Sequence, residues 1–545
     1  MDHLSLLIKT ICPDSDVAKN IACARTKTTG IINNVLGEGS FSQLRDELKD
    51  KYFSLIVDES TDRSTKKHLC LIARYVEASG KVKDSFLTLI KLSDADANTL
   101  YNHIVAFFNS NQIPYKTNLI GFASDGANVM MGKYHSLRSL LLEDVPNLFV
   151  MKCICHSFHL CASHACHKLP RFVEDLTRDI CNYFNASPKR LENLKEFQVF
   201  CNLEIHRILH PAQTRWLSVH MIVARILEQY PALILYFTHA VNSNDLLIAE
   251  NILTKLKDPV TKLFLQFLDF SLPFFNNLNK EMQAESPKIS ELYAKVSMVL
   301  KSLFECFLQR SYLRNTEIEN VDFKNPKYFM KTEEMYFGIN VGKTLLDTPL
   351  NKVQVDFFRL RCLDFYIEAC QQILDRFPMK NNAIKLFEFM NPCLVKAGNL
   401  SSLVMVAVNF PNLVSETELQ QLDSEWRILR NFEQLQLFED DVEVFWNKVH
   451  KLKNGDQTPM FPVLTKFISG LLTLPHSSAN VERIFSSVSL IKTTHRNRLS
   501  TKTLIGLIHA KRYVGNDECY SFKVGKILLK NMLKKQLYKD DSDSD

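Results

Sequence analysis

The hydrophobic rhythm of the chain changes several times along its length. Residues 1 to about 48 are polar and read as a helical lead-in. From residue 52 the apolar positions gather into short blocks closed by turn residues. YFSLIVDEST, HLCLIARYVE and KVKDSFLTLIKL are three such blocks, with a Ser-Gly turn at 79–80 between the last two. Their short connections predict a meander of three strands. DANTLYNHIVAFFNSNQ then sets Leu100, Ile104, Phe107 and Phe108 on one helical face. NLIGFASDG follows as a fourth strand, HSLRSLLLEDV as a helix, NLFVMKCICH as a fifth strand and SFHLCASHACHKL as a helix. The expected order is β-β-β-α-β-α-β-α, an α/β sheet of mixed direction.

Beyond it, residues 170 to 445 read almost wholly as helix, in stretches such as LFLQFLDFSLPFFNNL and VDFFRLRCLDFYIEACQQILDRF. The segment near 314–343, with Lys324, Pro326 and Lys327, reads as a loop. Two helices, FPVLTKFISGLLTL and SANVERIFSSVSLI, come next, then a basic turn THRNRLS and the helix KTLIGLIHAKRYV. A basic amphipathic helix with Lys523, Lys526, Lys530, Lys534 and Lys535 precedes the acidic end DDSDSD. The fold class expected is therefore α/β plus α. The divisions are 1–48, 49–170 for the first part of the sheet domain, 171–445 for a helical insertion, 446–515, and a tail at 516–545.

Composition narrows the class. Hydrophobic residues at 46% and charged residues at 23% exclude wholesale disorder and fibrous chains. Fourteen cysteines in 545 residues are too sparse for a disulfide scaffold. The N-terminus does not read as a signal peptide, and no run approaches about 18 apolar residues, the length a membrane helix needs. The expectation is a soluble protein of the nucleus or cytosol. A net charge of +6 permits a nucleic-acid partner without demanding one.

Two aspartates stand where chemistry is expected. Asp58 closes the first strand in LIVDEST and Asp125 the fourth in GFASDGANVM. In a sheet of this order the first and fourth strands lie side by side, so both carboxylates reach one place. Hard oxygen donors there suit Mg²⁺ or Mn²⁺. The bland alternative is that each aspartate simply closes a strand into a turn. The run CICHSFHLCASHACHK is rich in zinc-binding residue types, but it lacks two ligand pairs separated by a loop, so no zinc is expected. His495, Arg496 and Arg498 in the basic turn, and Lys511 and Arg512 beyond it, are candidate phosphate contacts or plain solvated surface.

LIVDEST, GFASDGANVMMGK, CICHSFHL, TRWLS and SSANVERIFSSVSLIKTTHRNRLS together resemble the hAT transposase superfamily, over residues 5 to 515. The last motif is similar to that family's C-terminal dimerisation region. The resemblance implies an RNase H-like core interrupted by a large helical insertion. It implies an acidic triad of Asp58, Asp125 and Glu482 that holds two Mg²⁺ or Mn²⁺ ions for DNA strand cleavage and transfer. Trp216 matches the family's tryptophan, thought to stack on a displaced base, with a buried structural tryptophan as the alternative. Arg215 is a phosphate contact or an anchor of the insertion. Cys153 and His156 match a C-x-x-H that supports the active site and nearby DNA. Apolar positions Phe461, Leu464, Phe467, Ile468, Leu471, Ile484 and Phe485 are candidates for the self-association face, though they would equally fill the core. The partners implied are DNA and a second copy of the chain, with neither membrane nor small-molecule substrate. The family commonly carries an N-terminal BED-type zinc finger, whose pattern is absent here. The competing expectation is a catalytically inactive, domesticated transposase acting as a nuclear interaction protein.

Overall fold

The computed structural model describes residues 2–62, 64–208, 216–243, 247–377, 379, 382–398, 400–433, 439–515, 521–533 and 537–538. Two compact units divide the chain. One holds Met1–Cys153, Gln283–Ile289 and Phe389–Asp545, and the other holds Ile154–Met282 and Ser290–Glu388.

The first unit is built on a five-stranded sheet. Its strands are β1 (Phe53–Thr61), β2 (Lys67–Val76), β3 (Val82–Leu92), β4 (Leu119–Ser124) and β5 (Phe149–Lys152). They lie in the order β3-β2-β1-β4-β5. The first three form the antiparallel meander, while β4 and β5 run parallel to β1. β5 is shorter than the sequence suggested. Its pairing ends at Lys152, and the chain turns into helix Ile154–Cys166 after the Cys153 N–H bonds Ser124 O at 2.8 Å.

The period-2 alternation of β1 sorts its side chains between two layers. Phe53, Leu55 and Val57 join a core roofed by Leu100, Ile104 and Phe108 of helix Ala97–Ser110. Ile56 faces the other way, with Cys70, Ile72, Phe86 and Leu89, onto Val481 and Val488 of helix Ala479–Ile491 and onto Leu504 and Ile508 of helix Thr501–Val514. The N-terminal lead-in is helical as expected, and its Gly37 lies against Gly506. A Cβ added at Gly37 would come within 3.0 Å of the Gly506 Cα, so the two helices meet backbone to backbone.

Helix Ala479–Ile491 is fastened to the sheet at its far end by a buried ion pair. Lys492 Nζ lies 2.6 Å from Asp62 Oδ2, and both side chains are at most 3% exposed. Asp62 Oδ1 also takes the Ser64 N–H at 2.7 Å, the Ser64 hydroxyl at 2.8 Å and the Lys66 N–H at 3.1 Å. Burial by itself raises this carboxyl. The hydrogen bonds from Lys492, Ser64 and Lys66 outweigh it and hold Asp62 at about 2. At the other end of the helix, Asn480 Nδ2 donates to Asp84 Oδ2, and Asp84 Oδ1 takes Arg74 Nη1 at 2.8 Å.

The helical block expected at 171–445 is divided between the units: residues 389–445 pack with the sheet. Trp446 Nε1 donates to Met390 O at 2.9 Å. The buried carboxylate of Glu425 accepts the Leu464 N–H at 2.7 Å and so caps helix Pro462–Leu472. The second unit is an all-helical body. Helices Pro259–Met282 and Lys352–Arg376 meet through aromatic contacts, Phe267 edge-on to Phe365 at 5.1 Å and Phe264 tilted against Phe358 at 5.1 Å. The expected loop at 314–343 holds two short 3-10 turns and the start of helix Ile339–Asp347. Among the described residues, no helix is long and apolar enough to cross a membrane.

Removing one partner of a buried ion pair strands the other, at a typical cost of about 3–5 kcal/mol. Asp62→Asn is therefore expected to lose stability of that order at pH 7 in urea unfolding. Its folded pKa is depressed, so the contribution is full above the unfolded value near pH 4 and is lost as pH falls through about 2. The gap between wild type and variant should narrow by about 2.5 kcal/mol over that window. A gap that stays constant down to pH 2 would contradict this account.

Candidate metal and strand-transfer site

Three carboxylates are directed to the C-terminal end of the parallel strands by separate devices. Asp58 follows Ile56 on β1, and so lies on the face covered by helix Ala479–Ile491. β1 and β4 are in register at Ile56 and Ala123. Two residues further on, Asp58 stands level with Asp125, just past the end of β4. Asp125 Oδ1 accepts the Ala127 N–H at 3.1 Å, which turns the chain away and leaves the carboxyl at the strand end. Glu482 sits in the first turn of helix Ala479–Ile491, where the helix dipole favours a negative side chain. All three are half-buried.

Their mutual proximity appears in the electrostatics. Burial pushes Asp58 up, the Asp125 charge pushes it further, and Cys153 and Glu482 add to this. The Glu59 N–H, bonded to Asp58 Oδ1 at 2.8 Å, pulls the other way. The net effect raises Asp58 to about 7. Like charges gathered at a strand end are what a divalent cation relieves, and the donor set is all hard oxygen. The residues therefore fit Mg²⁺ or Mn²⁺.

Among the described residues, the set of three His, Cys, Asp or Glu side chains whose ligand atoms lie within 4.8 Å of one another is Glu204, His206 and Glu228, on the helical unit. The carboxylate trio is more spread than that. A two-ion site, with ions about 3.5–4 Å apart, does not need every ligand atom within one such circle. A groove of about 610 Å³, lined by Asp50, Tyr52, Asn118 and Lys466, lies at the start of β1 and β4, away from the carboxylates.

Cys153 is 1% exposed, and its Sγ accepts the Ser478 N–H at 3.3 Å. It thus braces the start of the Glu482 helix from the end of β5. Buried there, Cys153 is placed to support the site from within. His156 is half-buried on helix Ile154–Cys166. Cys161 and Cys166 of the same helix are buried, and burial pushes Cys161 up to about 12, while His164 and His167 are exposed. Arg496 and Arg498 stand exposed on the turn after the Glu482 helix. Arg215 lies outside the described residues. Trp216 opens helix Trp216–Glu228, and its side chain also lies outside them.

The candidate self-association residues are core residues. Phe461, Leu464, Phe467, Ile468 and Leu471 are each at most 1% exposed. Ile484 and Phe485 are partly buried against the sheet with Val481 and Val488. Helical periodicity marks a face to be covered. It does not say whether the cover comes from the same chain, and here it does.

A five-stranded sheet in this order, with carboxylates at the ends of β1 and β4 and a third on a returning helix, defines an RNase-like domain. The comparisons agree. Residues 14–136 match a family model described as "ZMYM1/FAM200, RNase-like domain", and residues 418–513 match the hAT family C-terminal dimerisation region. A Zea mays protein named "Putative AC transposase" is 20% identical over an alignment of 494 positions that covers 87% of this chain. The chain spans 58% of that relative's length. The chain therefore carries an RNase-like domain and a region that matches the hAT family C-terminal dimerisation region, and it is similar to a protein named as a transposase.

Several supporting residues were not singled out from the sequence: Asp62, Lys492, Asp84 and Asn480. Their partners lie up to 430 positions away, so no local pattern joins them.

Two expectations follow. Asp58 has a raised folded pKa, so in the metal-free protein it costs stability progressively from its unfolded value near pH 4 up to about pH 7. Asp58→Asn is therefore expected to melt higher than wild type at pH 8 and equally at pH 4, without added metal. An equal melting temperature at both pH values would contradict the crowding of charge. Leu464→Ala is expected to lose about 2–5 kcal/mol of unfolding free energy as a cavity mutation. Light scattering should show unchanged association in the fraction that stays folded. Dissociation without loss of stability would return Leu464 to the interface.

Proposed function

We propose that the chain is a metal-dependent DNA strand-cleaving and strand-transferring protein of the transposase kind, active as a self-associated assembly in the nucleus. The observation that carries this reading is the convergence of charge on Asp58: its carboxyl is raised to about 7 by burial and by Asp125, with Glu482 adding to it from a helix more than 350 positions along the chain. A structural turn aspartate has no need of two further acids.

Asp58, Asp125 and Glu482 would hold Mg²⁺ or Mn²⁺. When bound, two such ions supply activation of a water or a 3′-hydroxyl and stabilisation of the leaving oxygen of a phosphodiester. The three carboxylates would supply the hard oxygen donors that hold and orient the cations. The sheet fixes Asp58 and Asp125, and the helix brings Glu482 onto the same face. Exposed Arg496 and Arg498, on the turn leaving that helix, are proposed phosphate contacts. No side-chain general base is required of this set. Self-association is proposed through the dimerisation region by faces other than its buried residues.

The test is nicking of supercoiled DNA by the purified chain in Mn²⁺, beside Asp58→Asn and Glu482→Gln. Wild type is expected to nick, and each variant to lose at least about a hundredfold in rate, roughly 2.7 kcal/mol of barrier, with unchanged circular dichroism. Nicking that survives in both variants would sink the assignment. A folded wild type that takes up no Mn²⁺ and cuts nothing would favour a non-catalytic interaction protein on the same scaffold.

A further inference from the structure

Between Met282 and Ser290, seven residues leave the helical unit and join the sheet unit. Three consecutive backbone carbonyls of this excursion are each held by a different side chain. Arg483 Nη1 donates to Gln283 O at 3.1 Å, His476 Nε2 pairs with Ala284 O at 3.1 Å, and Arg74 Nη1 donates to Glu285 O at 2.9 Å. A carbonyl only accepts, so His476 carries its proton on Nε2. Surface segments usually leave such carbonyls to water. Here the receptors come from β2 and from both sides of residue 479, and His476 and Arg74 are at most 2% exposed.

The receptors also hold the Glu482 helix. Arg483 follows Glu482 directly, and its Nε donates to Asn480 Oδ1 at 2.6 Å. Asn480 in turn donates to Asp84, which also takes Arg74. Arg483 Nη2 lies 3.7 Å from Glu285 Oε1, adding charge to the backbone contact. A shift of residues 283–285 therefore moves the same guanidinium groups and amide that fix the first turn of the helix. The chain enters this segment straight from helix Pro259–Met282.

We infer that residues 283–285 are a tether through which displacement of the chain leaving Met282 is transmitted to the Glu482 helix, with Arg483, His476 and Arg74 as positioning residues. The consequence for metal binding rests on the proposed role of Glu482, whereas the mechanical coupling does not.

The experiment is hydrogen exchange by mass spectrometry on the full chain, beside Mn²⁺ titration followed by electron paramagnetic resonance. The variants are Glu285→Lys, Glu285→Gln, Arg483→Gln and Arg483→Lys. Glu285→Lys perturbs the tether alone, from an exposed side chain, by setting a positive charge against Arg483. It is expected to speed exchange about tenfold at 479–484 as well as at 283–289, with distant strands unchanged. It should also weaken Mn²⁺ binding by about three- to tenfold, a loss of under about 1.4 kcal/mol. Arg483→Gln should do the same, and Glu285→Gln and Arg483→Lys should stay near wild type. Faster exchange confined to 283–289 would overturn the tether. If wild type takes no Mn²⁺, the metal reading fails and the exchange pattern alone decides the tether. If Arg483→Gln does not fold, Glu285→Lys decides it.

Discussion

The buried pair of Asp62 and Lys492 closes the RNase-like domain across 430 positions of sequence. A sheet of five strands leaves one face of Ile56, Cys70 and Ile72 uncovered until helix Ala479–Ile491 arrives. Apolar contact brings the helix to the sheet, but such contact is non-directional. It does not fix rotation or sliding along the groove. A lysine and an aspartate that are nearly solvent-free and bonded to each other permit few relative positions. Asp84 and Asn480 supply the second fixed point at the other end. A helix held at both ends by polar contacts places Glu482, in its first turn, beside the ends of β1 and β4.

The sheet was legible in the sequence because its information is local. Strand blocks, a Ser-Gly turn and the helical spacing of Leu100, Ile104 and Phe108 each lie within about 15 residues, and all fall where the structure has them. The expectation for Asp58 and Asp125 came from strand order and their place at strand ends. That for Glu482 did not. No periodicity links it to Asp58, and only the motif resemblance named it. β5 was overextended because CICH continues an apolar run that backbone hydrogen bonding ends at Lys152. The helical block was overextended for a related reason. Helical spacing is the same in either unit, and only long-range contacts, such as Trp446 with Met390, assign residues 389–445 to the sheet.

The apolar positions of the dimerisation region illustrate the limit of pattern reading. Phe461, Leu464, Phe467, Ile468 and Leu471 mark a face that must be covered, and the sheet unit covers it. Glu425, whose buried carboxylate caps this same helix through the Leu464 N–H, belongs to the matched region too. The region is thus a structural part of the domain before it is a surface. Its exposed apolar residues, such as Ile428 and Leu490, are not used by the core.

Setting Asp58 close to Asp125 and Glu482 in a partly buried site works against folding, because burial and the neighbouring charges raise the cost of ionising it. Asp58 at about 7 is the visible sign. The rest of the domain offsets that cost with contacts set away from the carboxylates. Asp62 is held at about 2 by Lys492, Ser64 and Lys66, and Asp84 is paired with Arg74. These two acids, one at each end of the helix, carry stabilising partners, whereas Asp58 is pushed towards its neutral form. Strain kept at the acids and repaid at the clamps is the arrangement expected of a site shaped for a cation. It also explains why the clamps are polar. A purely apolar seat for the helix would stabilise as much, but it would leave Glu482 free to drift away from the charges that oppose it.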